Sequence, residues 1–463
     1  MNPQADVLAS LRSACEGEVF TPGDPGYDEA CAAWNLAWTQ RPAVVVSARS
    51  ESDVVAAVRH AADAGLGVAV QTTGHGVTVP ADAESLLITM GALDRVEIDP
   101  EAATATVGGG ATWAPVLAAA ADHGLAPLVG STPHVGVVSY SLGGGIGWLS
   151  RRHGLGVDAV RSLRVVLADG RVVTTSPTEE PDLFWALCGT AGGSLGVVVE
   201  ITVALVAVSD VYAGSLFYPI DDAGAVFERY RAWAARSPVE LTSAFNITAF
   251  PPIEAVPEPL RGRVFAIVRG CYSGNDLSTG DALVAEWRNW QAPVIDMWGP
   301  MPFSRSAEIS QDPVDPIPAN ASGRWLSALD DTVLDVMLDT VLGEPHPSPV
   351  LLVEARHVGG TMRESNEAVS FSARDGEYCL EIIGLLVSPD ADEDLDRRIQ
   401  SAWSRLETRL TTLPGYLNFV EGGERVSMAR WAFPEEVRTR LGAVARTYDP
   451  EEVFRYASPL RDW

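Results

Sequence analysis

The sequence predicts an α+β protein, two α/β units followed by an antiparallel sheet covered by helices. Three observations lead there. Short apolar strands alternate with helix-period segments over residues 42–207; glycine crowds the same region; and from 208 onward glycine thins while longer strands alternate with amphipathic helices. At ordinary domain sizes the 463 residues make two domains or three.

The elements follow in chain order. Val44–Val46 is a β-branched strand, and Ser50-Glu51-Ser52-Asp53 reads as a capping box. The helix after it puts Val54, Val55, Val58, Ala61 and Ala62 on one face and stops at Gly65. Strand Val68–Gln71 completes a βαβ unit that ends in Thr72-Thr73-Gly74-His75-Gly76. A second unit runs from strand Thr104–Val107 through Gly108-Gly109-Gly110 into helix Thr112–Asp122. Strands Leu163–Leu167 and Val172–Thr174 flank the turn signal Asp169-Gly170. Gly189-Thr190-Ala191-Gly192-Gly193-Ser194-Leu195-Gly196 then leads into strand Val197–Leu205.

In the second half, strands are expected at Leu241–Phe250, Val264–Tyr272, Pro349–His357 and Tyr378–Val387. Helices are expected near 222–236, 325–342 and 391–411, with Asp312–Pro318 as a proline-rich connecting loop and a last helix within Pro434–Phe454.

Composition removes several classes of function. The chain is 47% hydrophobic and 20% charged, as in a folded globular protein. Its net charge of −28 opposes nucleic acid and anionic membranes. All 33 basic residues are arginine, so neither a Schiff-base lysine nor a P-loop lysine is available. The seven histidines and five cysteines contain no HExxH, HxH or CxxC, so no metal site or disulfide framework is expected. MNPQADVLAS has neither basic patch nor apolar run, and no stretch is long and apolar enough for a membrane span, which together lead to the expectation of a cytoplasmic enzyme.

The chemistry concentrates in the glycine loops. Gly154-x-Gly156-x-x-Ala159 follows Arg-Arg-His rather than a strand, which argues against a Rossmann dinucleotide site. Gly143-Gly144-Gly145-Ile146-Gly147 alone would be a tight turn. Three such loops in one region suit a long anionic cofactor held by amides and by the hydroxyls of Thr72, Thr73 and Ser141.

Thr73-Gly74-His75-Gly76, Val107-Gly108-Gly109-Gly110, Gly136-Val137…Leu142-Gly143-Gly144-Gly145-Ile146-Gly147…His153-Gly154-Leu155…Asp158, Asp182-Leu183-Phe184-Trp185-Ala186-Leu187…Gly196-Val197-Val198 and Asp449-Pro450…Phe454-Arg455 occur in that order. Together they resemble the FAD-linked oxidases of the vanillyl-alcohol oxidase superfamily, berberine-bridge-enzyme-like branch, over nearly the whole chain. The resemblance implies an FAD-binding domain at 1–207 with 425–463 returning to it, and a substrate-binding domain at 208–424. It also implies a monomer or homodimer acting on a small molecule, with O2 as acceptor.

Carried over residue by residue, His75 matches the histidine bonded to the flavin 8α-methyl. Thr72, Thr73, Gly74, Gly76, Val137, Ser141, Gly143, Gly144, Gly147, Gly196, Val198 and Tyr456 match cofactor-contacting positions. Many relatives add a cysteinyl bond to the flavin; here Gly130-Ser131-Thr132-Pro133 places Thr132 at that position, so the resemblance implies attachment through His75 alone, with Thr132 beside the ring. An imidazole on the 8α carbon withdraws electrons from the flavin and raises its potential. Two departures stand out. Thr72 replaces the usual basic residue, and Phe454-Arg455-Tyr456-Ala457-Ser458 lacks the usual terminal asparagine.

On the substrate side, charged residues inside apolar strands are costly unless paired. Glu354 and Arg356 share a face by strand parity, and Glu381 lies between aliphatics after Tyr378. The resemblance points to Glu381 as base, with Glu354 and Tyr378 as further catalytic candidates. A structural ion-pair network of Glu354, Arg356 and Glu381 competes with that reading. Tyr416 and Asn418, expected in a strand, and Tyr140, His134 and Asn246 are weaker candidates for the pocket. Val135 matches a position where oxygen-reactive relatives carry a small aliphatic residue.

The leading expectation is an FAD-linked oxidase taking hydride from an alcohol or amine carbon and producing H2O2. The rival is an oxygenating enzyme acting through a flavin N5-oxide on a polyketide-like substrate. A third is a non-catalytic flavin-binding protein, or a dehydrogenase with another acceptor.

Overall fold

The structure is a computed structural model describing residues 3–191, 194–254, 256–344 and 347–457; Gly192, Gly193 and Ser458 of the motifs above lie outside them. Three sheets organise the chain. The first has strands β1 (Glu18–Phe20), β2 (Val44–Ser47), β3 (Gly67–Gln71) and β4 (Ser85–Thr89) in the order β1-β2-β4-β3. Strands β2, β4 and β3 are parallel, and β1 is antiparallel to β2. The helix Glu51–Ala64 connects β2 to β3, opened by Ser50 and closed by Gly65 in the left-handed region (φ 70). Only half of the expected capping box forms. Ser50 Oγ accepts from Asp53 N, while the Asp53 carboxylate turns to the backbone N–H groups of Arg49, Glu16 and Gly17.

β2 and β3 are not neighbours, contrary to a simple βαβ unit, because β4 lies between them and pairs with both. Its sequence, SLLIT, is an unalternating apolar run buried on both faces, the pattern of a central parallel strand that periodicity does not distinguish from a helix fragment.

The second sheet contains β5 (Val96–Asp99), β6 (Thr104–Gly108), β7 (Val160–Val166), β8 (Val172–Thr175) and β9 (Val197–Ala204). Its order is β5-β6-β9-β7-β8, and every pair is antiparallel. The helix Trp113–Ala121 packs on it through Trp113, Val116, Leu117 and Ala120.

The third sheet has nine strands: β10 (Asp210–Pro219), β11 (Leu241–Ala249), β12 (Val264–Tyr272), β13 (Ile295–Asp296), β14 (Gly299–Pro302), β15 (Ala319–Leu326), β16 (Val350–His357), β17 (Tyr378–Leu385) and β18 (Leu410–Gly415). Its path is β13-β10-β12-β11-β16-β17-β15-β18, antiparallel throughout, with β14 also on β10. The helices Ala223–Ala234, Leu277–Trp290, Asp331–Leu342 and Pro389–Arg405 cover one face through a core containing Phe227, Trp233, Val336 and Leu395. The helix expected from 325 starts at Asp331, since Trp325 and Leu326 belong to β15 and Asp330 caps the helix by accepting from Val333 N. Tyr416 likewise follows β18 and opens a 3-10 turn instead of lying in a strand. No described helix is long and apolar enough to cross a membrane.

Candidate active site

A cavity of about 1080 Å3 lies between the first two sheets and the helix-free face of the third, part of which packs directly on the core of the second unit. Its wall begins where β3 ends. The chain leaves Gln71 into Thr72-Thr73-Gly74-His75-Gly76, at the carboxyl end of the parallel strands, where open α/β sheets place their ligands. Gly74 has φ 75, and a Cβ there would lie 2.6 Å from the Cβ of Ala33. The loop is pinned from the preceding segment: Trp34 N donates to Thr73 O at 2.9 Å and Asn35 N to Gly74 O at 3.1 Å.

These contacts fix His75. Its ring stacks on Trp34 with centroids 4.1 Å apart and planes 11° from parallel. Nδ1 is 2.8 Å from Thr73 Oγ1, whereas Nε2 is buried and has no hydrogen-bond partner among the described residues. Burial, reinforced by His134, pushes its pKa down to about 3, so the imidazole is neutral. Either tautomer satisfies the contact with Thr73; in the one with Nδ1–H donating, Nε2 carries the lone pair. That is the form a nitrogen nucleophile needs. A buried, partnerless ring nitrogen in a glycine-built wall fits an 8α-linked flavin.

Thr72, Thr73, Gly74, Gly76, Thr132, Gly196, Val198 and Tyr456 also line the cavity. Thr72 Oγ1 donates to Gly109 O at 3.1 Å, tying two glycine loops together. Thr132 Oγ1 donates to Asp312 at 2.6 Å, which bridges this loop to the Asp312–Pro318 strap. Tyr456 packs over Gly67, with its hydroxyl on Asp82.

Five expected contacts lie elsewhere. Val137, Ser141, Gly143, Gly144 and Gly147 sit behind the wall, which is made at this segment by Gly136, Val138, Ser139, Tyr140 and Ile146. Residues 137–142 form a short helix, and Val137 and Ser141, four apart on one side of it, turn inward. The glycines serve packing: a Cβ on Gly143 would meet Asn418, on Gly144 Phe371 and Tyr416, and on Gly147 the Val129 carbonyl.

The opposite wall is the uncovered face of the third sheet. Pairing places Glu354 directly opposite Glu381, and strand parity puts Arg356 and Cys379 on the same face. Glu354 is fully buried and accepts from Arg269 Nε at 2.6 Å, from Arg356 Nε at 2.9 Å and Nη2 at 2.6 Å, and from Asn246 Nδ2 at 3.3 Å. Burial opposes its charge, but the two guanidiniums outweigh that and lower its pKa. Glu354 is therefore a fixed anion beneath the wall, a positioning residue and not a base. Arg356 is clamped between Trp148 and Phe419, 5.3 and 5.4 Å from their ring centroids.

Glu381 faces the cavity. Burial pushes its carboxyl up, Arg356 pulls it down, and Glu354 and Asp312 add to the rise, leaving a pKa of about 8. The ion-pair reading thus holds for Glu354 and Arg356, while Glu381 stays outside the direct hydrogen bonds of that cluster. Tyr378 does not reach the cavity. Three residues from Glu381, it points to the opposite, helix-covered face, stacked on His357 with centroids 5.2 Å apart. Tyr140, Asn418, Tyr416 and Val135 line the wall, whereas Asn246 lies beneath it with Glu354.

Four further cavity residues were not singled out from the sequence: Trp34, Arg269, Asp312 and Glu421. Arg269 interrupts the apolar run of β12, the same signal that marks Glu354 and Glu381. Glu421 accepts from Asn35 Nδ2 at 2.7 Å, and burial lifts its pKa to about 8. Nothing local in the sequence marks it, because its surroundings come from distant segments.

Residues 42–176 match the family model for an FAD binding domain. The (R)-6-hydroxynicotine oxidase of Paenarthrobacter nicotinovorans is 35% identical over 191 residues, which cover 41% of this chain and 42% of that enzyme. The alignment thus spans less than half of the length of either protein. Among solved structures, 6-hydroxy-D-nicotine oxidase from Arthrobacter nicotinovorans superposes with a TM-score of 0.82 at 24% identity, covering 96% of this chain and 98% of that one. Physcomitrella patens BBE-like 1 gives 0.82 at 20% identity, covering 96% and 97%. At these identities the likeness is one of fold. The α+β fold class holds, and the FAD binding domain over residues 42–176 agrees with the expected resemblance to FAD-linked oxidases.

Proposed function

We propose that this chain, an FAD-linked oxidoreductase, carries its flavin on His75 alone and oxidises a small-molecule alcohol or amine with O2 as acceptor. In this reading residues 1–207 with 425–463 bind FAD and 208–424 bind substrate. The observation that carries it is the buried, neutral imidazole of His75, whose Nε2 has no partner among the described residues in the cavity wall. Bound FAD supplies a two-electron acceptor that O2 can reoxidise, yielding H2O2. The residues supply position and proton traffic. Trp34 and Thr73 fix the imidazole, and Thr132 holds the Asp312 strap over the cavity. Glu381, in its ionised form, accepts the hydroxyl or amine proton of the substrate as the adjacent C–H bond breaks. Arg356 and Arg269, held by Glu354, set the field around it.

Intact mass and peptide mapping test the attachment. An FAD adduct on the His75 peptide is expected, lost in His75→Ala; release of all yellow colour on acid denaturation of wild type would exclude it. Stoichiometric H2O2 during turnover is expected for the oxidase. A flavin spectrum of non-standard shape, restored by one reduction cycle, would favour the oxygenating rival instead.

A further inference from the structure

The cavity-facing side of the third sheet changes character from one end to the other. Register gives one row running across it: Phe217 on β10, Ile267 on β12, Asn246 on β11, Glu354 on β16 and Glu381 on β17. The Glu381 end is charged, with Arg356 beside it, and Arg269, two residues from Ile267 on β12, reaches across from the next row to Glu354. The Phe217 end is apolar: Phe217, Ile267, Leu260 and Phe265 form a satellite core against which Phe250 and Met297 pack, and all but Phe265 also line the cavity. Glu381 and Ile267 are three strand spacings apart, roughly 14 Å at about 4.8 Å per strand. Leu352 and Ile383, a register pair in the next row on the same face, line the path between them.

An oligosaccharide spanning that distance would bring hydroxyls against Phe217, Ile267 and Leu260, each of which would lose hydrogen bonds to water. A chain with one polar end would place no hydroxyl against these three side chains. We propose that the substrate is an elongated molecule with a single alcohol or amine end seated at Glu381 and an apolar body lying along Leu352 toward Ile267 and Phe217. This deepens the oxidase reading and rests on it for the orientation of the polar end; the apolar lobe itself does not depend on the flavin linkage.

The test uses the flavin-loaded protein and ω-phenylalkan-1-ols from benzyl alcohol to 6-phenylhexan-1-ol, with xylobiose as the sugar probe. Kd is read by thermal shift and by perturbation of the flavin spectrum. Expected is a tightening of about four-fold per added methylene until the lobe is filled, with xylobiose weaker than the longer alcohols. Ile267→Thr should flatten that slope while benzyl alcohol binding stays within about two-fold. A Kd independent of chain length, or tighter binding of xylobiose, overturns the proposal even if His75 carries FAD. An unmodified His75 with the slope intact would instead remove the attachment and leave the apolar lobe standing.

Discussion

The two walls of the cavity are built on opposite principles. The wall carrying His75 is local: five consecutive residues after one strand place the imidazole, and backbone contacts from Trp34 and Asn35 lock it. The wall carrying Glu381 is assembled from strands far apart in sequence. Arg269, Glu354, Arg356 and Glu381 come from β12, β16 and β17, and only the register of the nine-stranded sheet brings them together. A site made from one loop should fail through backbone strain, and a site made from register through unpaired charge. Substitutions on each side separate the two.

The largest effect is expected on the register-built wall. Glu354→Ala would leave Arg269 and Arg356 buried without their shared anion. Breaking a buried ion pair by removing one partner costs about 3–5 kcal/mol. Urea denaturation should report that loss, and replacing Arg269 as well by Met should restore part of it. A loss below about 1 kcal/mol would mean that solvent reaches the cluster.

On the loop-built wall, Gly74→Ala combines a left-handed backbone (φ 75) with a Cβ 2.6 Å from that of Ala33. The conformation costs an L-residue about 1–2 kcal/mol and overpacking adds about 1–3. The expected sum is about 2–5 kcal/mol, with a drop in the flavin retained after gel filtration. Stability lost with full flavin retained would show that the loop's strain and its ligand contacts are separable.

This contrast also explains what was legible in the sequence. The glycine loops and His75 were readable because their chemistry is contiguous, and Glu354, Arg356 and Glu381 because a charge in an apolar strand is conspicuous. Strand β4 was not, since SLLIT has no alternation. Tyr378, three residues from Glu381 on the same strand, falls on the opposite face because side chains alternate with a period of two. Val137, Ser141, Gly143, Gly144 and Gly147 are not among the residues lining the cavity; Gly143 and Gly144 instead meet Asn418, Tyr416 and Phe371, more than two hundred residues away, which no local motif reveals.

Glu381 gives a pH-dependent comparison. Its folded pKa of about 8 lies above the ordinary carboxyl value, so folding favours the neutral form. The stability it contributes is fully present below about pH 4.5 and is lost as pH rises toward 8, by up to about 1.4 kcal/mol per pH unit. Glu381→Gln should therefore gain on wild type across that window. If Glu381 is the base, kcat/KM of wild type should rise with pH to a plateau above about 8, and the variant should lose that limb. A variant with full turnover would remove Glu381 from the chemistry while leaving the stability prediction intact.

The smallest expected effect sits where the two walls meet. Thr132 Oγ1 donates to Asp312 at 2.6 Å, joining a glycine-loop residue to the strap before β15. The strap has other ties to the N-terminal segment: Trp34 Nε1 donates to Val314 O at 2.8 Å and Leu36 N to Ile317 O at 3.0 Å. Thr132→Val keeps the shape and removes one donor, so about 1 kcal/mol is expected, near the usual net value of one hydrogen bond. Because the remaining ties persist, the change should appear as faster proteolysis within Asp312–Pro318 and only a small shift in Tm. A larger loss, shared with Asp312→Asn in a double-mutant cycle, would mean that the two walls hold their spacing mainly through this one contact.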